Sequence, residues 1–399
     1  MNTSGSHNIH SHIGASASER FLECPGSVQL AAHCENESKD YTRLGTAAHD
    51  VAAWCLETGS DPMFFPGGKV LHAGEEFPVD EDMAAAVGEY MDYVLSRMEL
   101  YHDLEGEFPT LFVEQGFDLD HVWAGMYGTS DCVLWFPKWG LLEVIDYKHG
   151  EGIPVQVVQN PQLQYYACGA IHRLGAATAS SEVEQVKLTI CQPRCAHPSG
   201  YTRSWDTTVE DLMEFLTNVL VPGIKEALTP GAPLKDGPHC RFCPARLVCP
   251  MLTERFETFK HAADMDADPT VVSDLQLGEM YEATETVRIF MKAVEGETYK
   301  RLTRGLDIPG AKLVNQKAQR AWKEGAVGAA KAAGLECYQA PAFNSPAQME
   351  KVPGGREFAR KWAYKPEAGL TVARAHDIRD KVSARRAVEV FANVPASDT

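Results

Sequence analysis

Gly128-Thr129-Ser130-Asp131 and, a little further along, Asp146-Tyr147-Lys148 bring two carboxylates and an ammonium into one short stretch of the chain. On a strand, residues two apart share a face, so Asp146 and Lys148 project together while Tyr147 points away. A tight turn before Asp146 returns Asp131, at the start of the preceding strand, toward it. Two carboxylates held close repel each other unless a cation sits between them, and hard oxygen ligands beside a lysine suit Mg2+ or Mn2+. Such an ion acidifies water and polarises a phosphoryl oxygen, and Lys148 is placed to orient that water or to offset charge in a phosphorane-like transition state. The chemistry expected of this group is metal-dependent hydrolysis of a phosphodiester. Taken alone, Asp-x-Lys is also the pattern of a surface ion pair.

The second group is Cys240-x2-Cys243-x5-Cys249, bracketed by Pro238, Pro244 and Pro250. The prolines exclude a regular helix throughout, so a looped, ligand-presenting segment is expected. Three thiolates need a fourth partner for a tetrahedral S4 site, and no second Cys-x2-Cys pair of the zinc-ribbon kind is present. Cys24, Cys34, Cys191 and Cys195 are the candidates, and the group could hold zinc or an iron-sulfur cluster. Eleven cysteines, an odd number spread along a long chain, argue against the disulfide framework of a secreted protein. Cys55, Cys132, Cys168 and Cys337 sit among apolar neighbours and read as buried free thiols.

The elements that position these residues follow from spacing. Ser18 is expected to cap a short helix carrying Cys24 and Val28, and a second helix should run from about Arg43 to Leu56 with Gly45, His49, Ala52 and Ala53 on a lightly built face. A third, from about Asp80 to Tyr101, spaces Met83, Val87, Tyr90, Val94 and Met98 at helical intervals, and all three helices are expected before any strand. Strands are predicted at 108–117, 132–136 and 141–147, the last two joined by the turn Pro137-Lys138-Trp139-Gly140. A helix over 160–174 and a strand over 186–191 complete a mixed α/β core with a helical crossover.

With 399 residues, 44% of them hydrophobic and 23% charged, and a mean hydropathy of −0.25, the chain has the composition of a soluble globular protein that can bury a large core and divide into two or three units. No run of eighteen apolar residues occurs, and the first eighteen residues lack the layout of a signal peptide. A cytoplasmic protein with no membrane partner is therefore expected. The net charge of −18 opposes a polyanionic partner, but it is unevenly spread: residues 301–399 hold 17 Lys and Arg against 10 Asp and Glu.

Gly128-Thr129-Ser130-Asp131, Ile145-Asp146-Tyr147-Lys148-His149-Gly150 and Gln162-Leu163-Gln164-Tyr165-Tyr166 together resemble the PD-(D/E)XK nuclease superfamily, in particular its RecB-like branch. The resemblance covers roughly residues 17–255. It implies a restriction-endonuclease-like α/β core, a central mixed sheet flanked by helices, with N-terminal helices and an α-rich C-terminal extension. Gln162 and Tyr166 match the branch's Gln-x3-Tyr element, whose one-turn spacing shares a helix face, and the resemblance implies that this face meets DNA near the metals. His49, in Gly45-Thr46-Ala47-Ala48-His49, matches a helical metal ligand, Glu114 an acidic residue of the first core strand, and the backbone carbonyl of Tyr147 a further ligand. Cys24, Cys240, Cys243 and Cys249 resemble the iron-sulfur staple of AddB-like subunits and CRISPR-associated exonucleases, implying a structural 4Fe-4S cluster, with zinc the alternative.

The organisation expected is a disordered segment over 1–16, a nuclease domain with its cysteine-ligated cluster over 17–255, a long helical segment over 256–305 and a small basic domain over 306–399. Val271 to Arg304 reads as one amphipathic helix with Leu275, Met280, Tyr281, Val287, Phe290 and Met291 on or near its buried side. The remainder, with Gly310-Ala311-Lys312-Leu313-Val314, Arg320-Ala321-Trp322 and Ser345 to Glu350, resembles phage-encoded RecB-like proteins. Trp322 beside Arg320 and Lys323 could stack on a DNA base or pack in a small domain. The function implied is a Mg2+- or Mn2+-dependent DNA exonuclease acting at accessible ends in phage recombination, replication or DNA breakdown, with a phage partner protein possible. The competing readings are a catalytically inactive DNA-binding or scaffold protein on the same core and a zinc-stabilised interaction module.

Overall fold

The first ordered segments are short helices whose breaks are dictated by Pro25 and Gly26: α1, Ser18–Glu23, and α2, Ser27–Ala31. The computed structural model describes residues 13–32, 34, 40–72, 74–177, 183–263 and 273–312. Ser18 does not cap α1; a 3-10 turn, Ala15–Ala17, precedes the helix and the Ser18 hydroxyl donates back to the Ala15 carbonyl at 2.7 Å. Cys24 lies just past the end of α1 instead of inside a helix that reaches Val28. Ile13 and Ala15, expected to be disordered, are buried in the main core because these apolar residues pack under Tyr165 and Gly128.

Helix α3 spans Asp40–Thr58, and α4 spans Glu81–Glu105, opened by the Asp80 carboxylate accepting from the Met83 amide and closed by Gly106 at φ 77°. Between them lies an antiparallel hairpin, β1 (Lys69–His72) and β2 (Glu75–Pro78), so the helices do not all precede the strands. Its four-residue strands are largely exposed and carry no apolar alternation to announce them.

The central sheet is five-stranded in the order β3-β4-β5-β6-β7: Thr110–Asp118, Tyr127–Phe136, Leu141–Tyr147, Gln185–Cys191 and Thr202–Thr208. Every residue of β5 is buried, as befits a middle strand covered on both faces. Pairing is antiparallel except between β5 and β6, which are parallel and joined over the top by α5, Pro161–Ala177. The strand expected to begin at Cys132 begins at Tyr127, so Asp131 lies in the middle of β4 and not at its start. The polar Gly-Thr-Ser stretch pairs with β3 as a regular ladder despite its low strand propensity.

One face of the sheet, with Val133, Leu142, Val144 and Leu188, packs under α1, α5 and two further helices, α6 (Val209–Phe215) and α7 (Val221–Leu228). The opposite face, with Leu134, Ile145 and Tyr147, is covered by α3 and α4. The result is an α/β architecture with a mixed sheet flanked by helices. Helix α8, Pro250–Ala263, and helix α9, Asp274–Thr303, follow. On α9, Val287 is buried, but Leu275, Tyr281 and Met291, expected near the buried side, are exposed. The buried stripe there is instead Thr286, Val287, Ile289 and Ala293, a narrower one than the apolar content of the helix suggested.

The chain divides into two compact units, Met1–Lys300 and Arg301–Thr399. Of the second unit, the described residues are 301–312, which hold the end of α9 and Gly305 at φ 81°. Residues 1–12, Cys337, Arg320 to Lys323 and Ser345 to Glu350 lie outside the described residues. Among the described residues, no helix is long and apolar enough to cross a membrane.

Glu143, fully buried in β5, interrupts the apolar run. Arg97 Nε donates to one carboxylate oxygen at 2.7 Å, and Tyr93 Oη and Thr189 Oγ1 donate to the other at 2.6 and 2.9 Å. A buried carboxylate stripped of its cation keeps its desolvation cost without compensation. Arg97→Met should therefore cost about 3–5 kcal/mol in urea unfolding, and Arg97→Met with Glu143→Gln markedly less. Equal losses in the single and double variants would show that the pair is not coupled.

Candidate metal centre and cysteine site

Small residues let α3 approach the sheet: Ala48 and Ala52 are buried in the cluster that joins the helix to the sheet. His49 Nδ1 lies 3.1 Å from Asp131 Oδ1, and the Tyr147 amide donates to Asp131 Oδ2 at 2.7 Å. The β3–β4 register, Val113 opposite Cys132 and Gln115 opposite Ser130, sets Glu114 across from Asp131. Ligand atoms of His49, Glu114 and Asp131 all fall within 4.8 Å of one another. Glu114 reaches this position with φ at 44°, a left-handed conformation that a side chain with a Cβ adopts at a cost.

Asp146, near the end of β5, and Lys148, just past it, meet as their spacing requires. Lys148 Nζ donates to Asp146 Oδ1 at 2.9 Å, and to Gln162 Oε1 on α5 at 3.3 Å. Gln162 Nε2 in turn donates to Tyr166 Oη at 2.9 Å, one helical turn on. Gly128 is where Tyr166 needs room: a Cβ there would lie 2.9 Å from the tyrosine ring and 3.1 Å from Ala15 Cβ. Asp146 Oδ2 is buried, with Lys148 Nζ 2.7 Å away as its ion-pair partner. Asp146 does not join the close group of His49, Glu114 and Asp131.

The charges are mutually dependent. Burial opposes ionisation of His49, but Asp131, by charge and hydrogen bond, raises the imidazole above its ordinary value. Burial likewise works against the Asp131 carboxylate, and His49, then Lys148 and the Tyr147 amide, bring it below its usual range. Asp146 is raised, chiefly by burial. Loss of hydration, and next the charge of Asp131, push Glu114 up to about 7. An oxygen-rich set with one imidazole and a carboxyl that resists ionising fits a hard divalent cation.

Three residues beyond the motif residues build this end of the sheet. His149 Nδ1 is 2.8 Å from Tyr147 Oη, and His149 Nε2 accepts from Arg194 Nη1 at 2.7 Å. Arg194 also pairs with Glu151. A guanidinium only donates, so the imidazole that accepts from it is neutral and donates its other proton to Tyr147; burial, then Arg194, takes His149 down to about 4. His149 stands in the Ile145 to Gly150 stretch that carries the resemblance, which gives it no role, whereas nothing in the sequence ties Arg194 or Glu151 to it. Tyr147 itself contributes its amide and a ring buried against Tyr90 and near His49.

The cysteines form the second site. Cys240 and Cys243 lie along two 3-10 turns, Pro238–Phe242 and Pro244–Leu247, and Cys249 immediately precedes α8. Cys24 joins them: all four cysteines line one cavity with Ser27, Lys235, His239 and Arg246. The Lys235 amide donates to Cys24 Sγ at 3.3 Å, and the Gly26 amide to the Pro233 carbonyl at 2.8 Å. A Cβ on Gly26 would come within 2.5 Å of the Ala232 carbonyl oxygen, so glycine is what lets this turn close.

Cys191 belongs instead to the core around Tyr147, Cys195 is buried elsewhere, and Cys34 packs beside Ala31, Cys243 and Ala245 without lining the cavity. Cys55, Cys132 and Cys168 are buried free thiols. Burial pushes the Cys240 thiol up to about 12 and raises Cys243. Thiols so placed become thiolates when a metal takes them. Among the described residues no three of these sulfurs lie within 4.8 Å of one another, whereas Zn–S bonds of about 2.3 Å would set tetrahedral sulfurs about 3.8 Å apart.

The chain belongs to the family described as protein of unknown function (DUF2800), whose model matches residues 10–380 and so takes in both sites.

The backbone at Glu114 offers a test of whether strain is held in place for ligation. Glu114→Gly should be more stable than Glu114→Ala by about 1 kcal/mol, because only glycine is at ease at positive φ. Both should bind Mn2+ at least about tenfold more weakly by calorimetry. Equal stabilities would show that the position is unstrained, and wild-type affinity in both would remove Glu114 from the ligand set.

Proposed function

We propose that this DUF2800 chain is a divalent-metal-dependent deoxyribonuclease on a PD-(D/E)XK-like core, acting as an exonuclease at accessible DNA ends. The observation that carries the reading is the meeting of His49, Glu114 and Asp131 beside a continuous chain of contacts from Asp146 through Lys148 and Gln162 to Tyr166. Bound there, Mg2+ or Mn2+ supplies positive charge that polarises a phosphoryl oxygen and acidifies water.

The chain's own residues hold the geometry. Tyr166 accepts from the Gln162 amide nitrogen and so turns the amide oxygen toward Lys148, which fixes the ammonium beside Asp146. Lys148 can then offset negative charge growing on the scissile phosphate. His49 and Asp131 hold each other in register through the contact that also engages the Tyr147 amide. Gln162 thus acts first on Lys148, a role that adds to the strand-positioning implied by resemblance.

The cysteine site reads as a structural 4Fe-4S centre. Four thiols on one cavity would supply the four ligands such a cluster takes. A role in phage recombination, replication or DNA degradation in the host cytoplasm, with a partner protein to help an acidic body hold DNA, is consistent with the −18 net charge.

With end-labelled single- and double-stranded DNA and Mg2+ or Mn2+, the wild type should release labelled products. Asp146→Asn and Lys148→Met should slow the release at least about a hundredfold, and Tyr166→Phe less. If wild type and Asp146→Asn leave the DNA equally intact, the nuclease reading falls.

A further inference from the structure

We infer that Arg20 and Arg246 are the built-in counter-charge of the cysteine site, and that they govern how tightly it holds its metal. The inference rests on the reading of Cys24, Cys240, Cys243 and Cys249 as a metal-thiolate centre, but not on which metal occupies it. Four thiolates with either a zinc ion or a dipositive 4Fe-4S core sum to a net charge of about −2, placed in a cavity that water reaches poorly.

The cavity is provided with cations and with no acid. Arg246 lines it and donates through Nη1 to the Cys243 carbonyl at 2.8 Å. Arg20, half-buried, donates through Nη1 to Ser27 Oγ at 2.9 Å, and Ser27 is itself buried on the cavity wall. The Arg20 carbonyl also accepts the Cys24 amide at 2.9 Å, so cation and ligand lie one helical turn apart on the same face. Burial lowers the pKa of the Arg20 guanidinium, and the sulfurs of Cys243 and Cys24 lie near enough to oppose that shift.

Arg97, Arg194, Arg241 and Arg255 each meet a carboxylate. Among the described residues Arg20 and Arg246 meet none, nor do Arg173, Arg203 and Arg288, but the hydrogen bonds of Arg20 and Arg246 run to residues that line the cysteine cavity. A guanidinium left without an acid beside four thiols is placed for an anion that the thiols themselves create on binding metal. Arg20 is a positioning and charge-balancing residue; the sulfurs remain the ligands.

The test compares wild type, Arg20→Met, Arg20→Lys and Arg246→Gln as full-length chains purified without oxygen. Iron, acid-labile sulfide and zinc are measured per chain, and loss of metal to an excess of chelator is followed by absorbance. Arg20→Met should release metal about ten- to a hundredfold faster than wild type, with Arg20→Lys between them and Arg246→Gln showing a smaller increase. If the metal is iron, the midpoint potential of Arg20→Met should shift in the negative direction, since a lost cation disfavours the more reduced and more anionic state.

Wild-type release rates in Arg20→Met would overturn the inference while leaving the metal centre standing. Should Arg20→Met not fold, wild-type rates in both Arg20→Lys and Arg246→Gln would overturn it equally. A wild-type chain that holds neither iron nor zinc removes the centre and this inference together.

Discussion

Three carboxylates, Glu114, Asp131 and Asp146, converge on one end of the sheet with a single imidazole and a single ammonium to answer them, and the arrangement around them follows from that imbalance. His49 and Lys148 are each held where their charge does most good, one on Asp131 and the other on Asp146. What remains uncompensated shows in Glu114, whose carboxyl is pushed up to about 7. A fold does not gather acids against their repulsion by accident of packing, because the same apolar surface could be buried with neutral side chains at lower cost. The left-handed backbone at Glu114 adds conformational cost in the same place, which is the pattern of a site shaped for a cation.

The scaffold meets this demand by rigidity. The β5 strand is buried from end to end, so Asp146 and Lys148 extend from a strand that cannot shift by one residue without turning its apolar side chains to the wrong face. The Glu143 network fastens that strand to α4 on the other side of the sheet. His149 and Arg194 fasten the segment immediately after Lys148 to the loop that follows β6.

Much of this was legible because it rests on short-range spacing. The alternation of Asp146 and Lys148, the one-turn interval between Gln162 and Tyr166, and the mostly apolar run of β5 are properties of a few neighbouring residues, and each matches the structure. What was not legible depends on distant partners. Asp131 fell in mid-strand because β3 supplies a ladder for Gly-Thr-Ser that local propensity disfavours. The β1–β2 hairpin carries no periodic signal, and Leu275, Tyr281 and Met291 on α9 face solvent because a narrower stripe than the sequence implied is covered. Arg20, Arg194 and Glu143 have no motif; their meaning comes from what the fold sets beside them. Cys24 lies in between, since the triplet announced a missing thiolate but only the closed turn at Gly26 shows which cysteine can reach it.

The two sites are joined by one short stretch of chain. Ile13 accepts from Tyr165 through its carbonyl at 3.4 Å, and Ala15 would be the neighbour of any side chain at Gly128, on the surface that also seats Tyr166. Nine residues after Ala15, through α1, the same segment delivers Cys24 to the cavity formed by Cys240, Cys243 and Cys249. Its anchoring at the far end is slight by itself: α1 and α2 are six and five residues long, too short to hold their shape without tertiary support. A linkage between Cys24 and the triplet closes a loop of more than two hundred residues, and such a constraint removes unfolded-state freedom that local contacts cannot. The metal centre proposed for the cysteine cavity would therefore also hold Ile13 and Ala15 under Tyr165 and Tyr166, and through Tyr166 would bear on Gln162 and the lysine beside Asp146. Such a centre would need no contact with substrate to bear on the proposed chemistry, since it would fix the layer on which the Lys148 contacts rest.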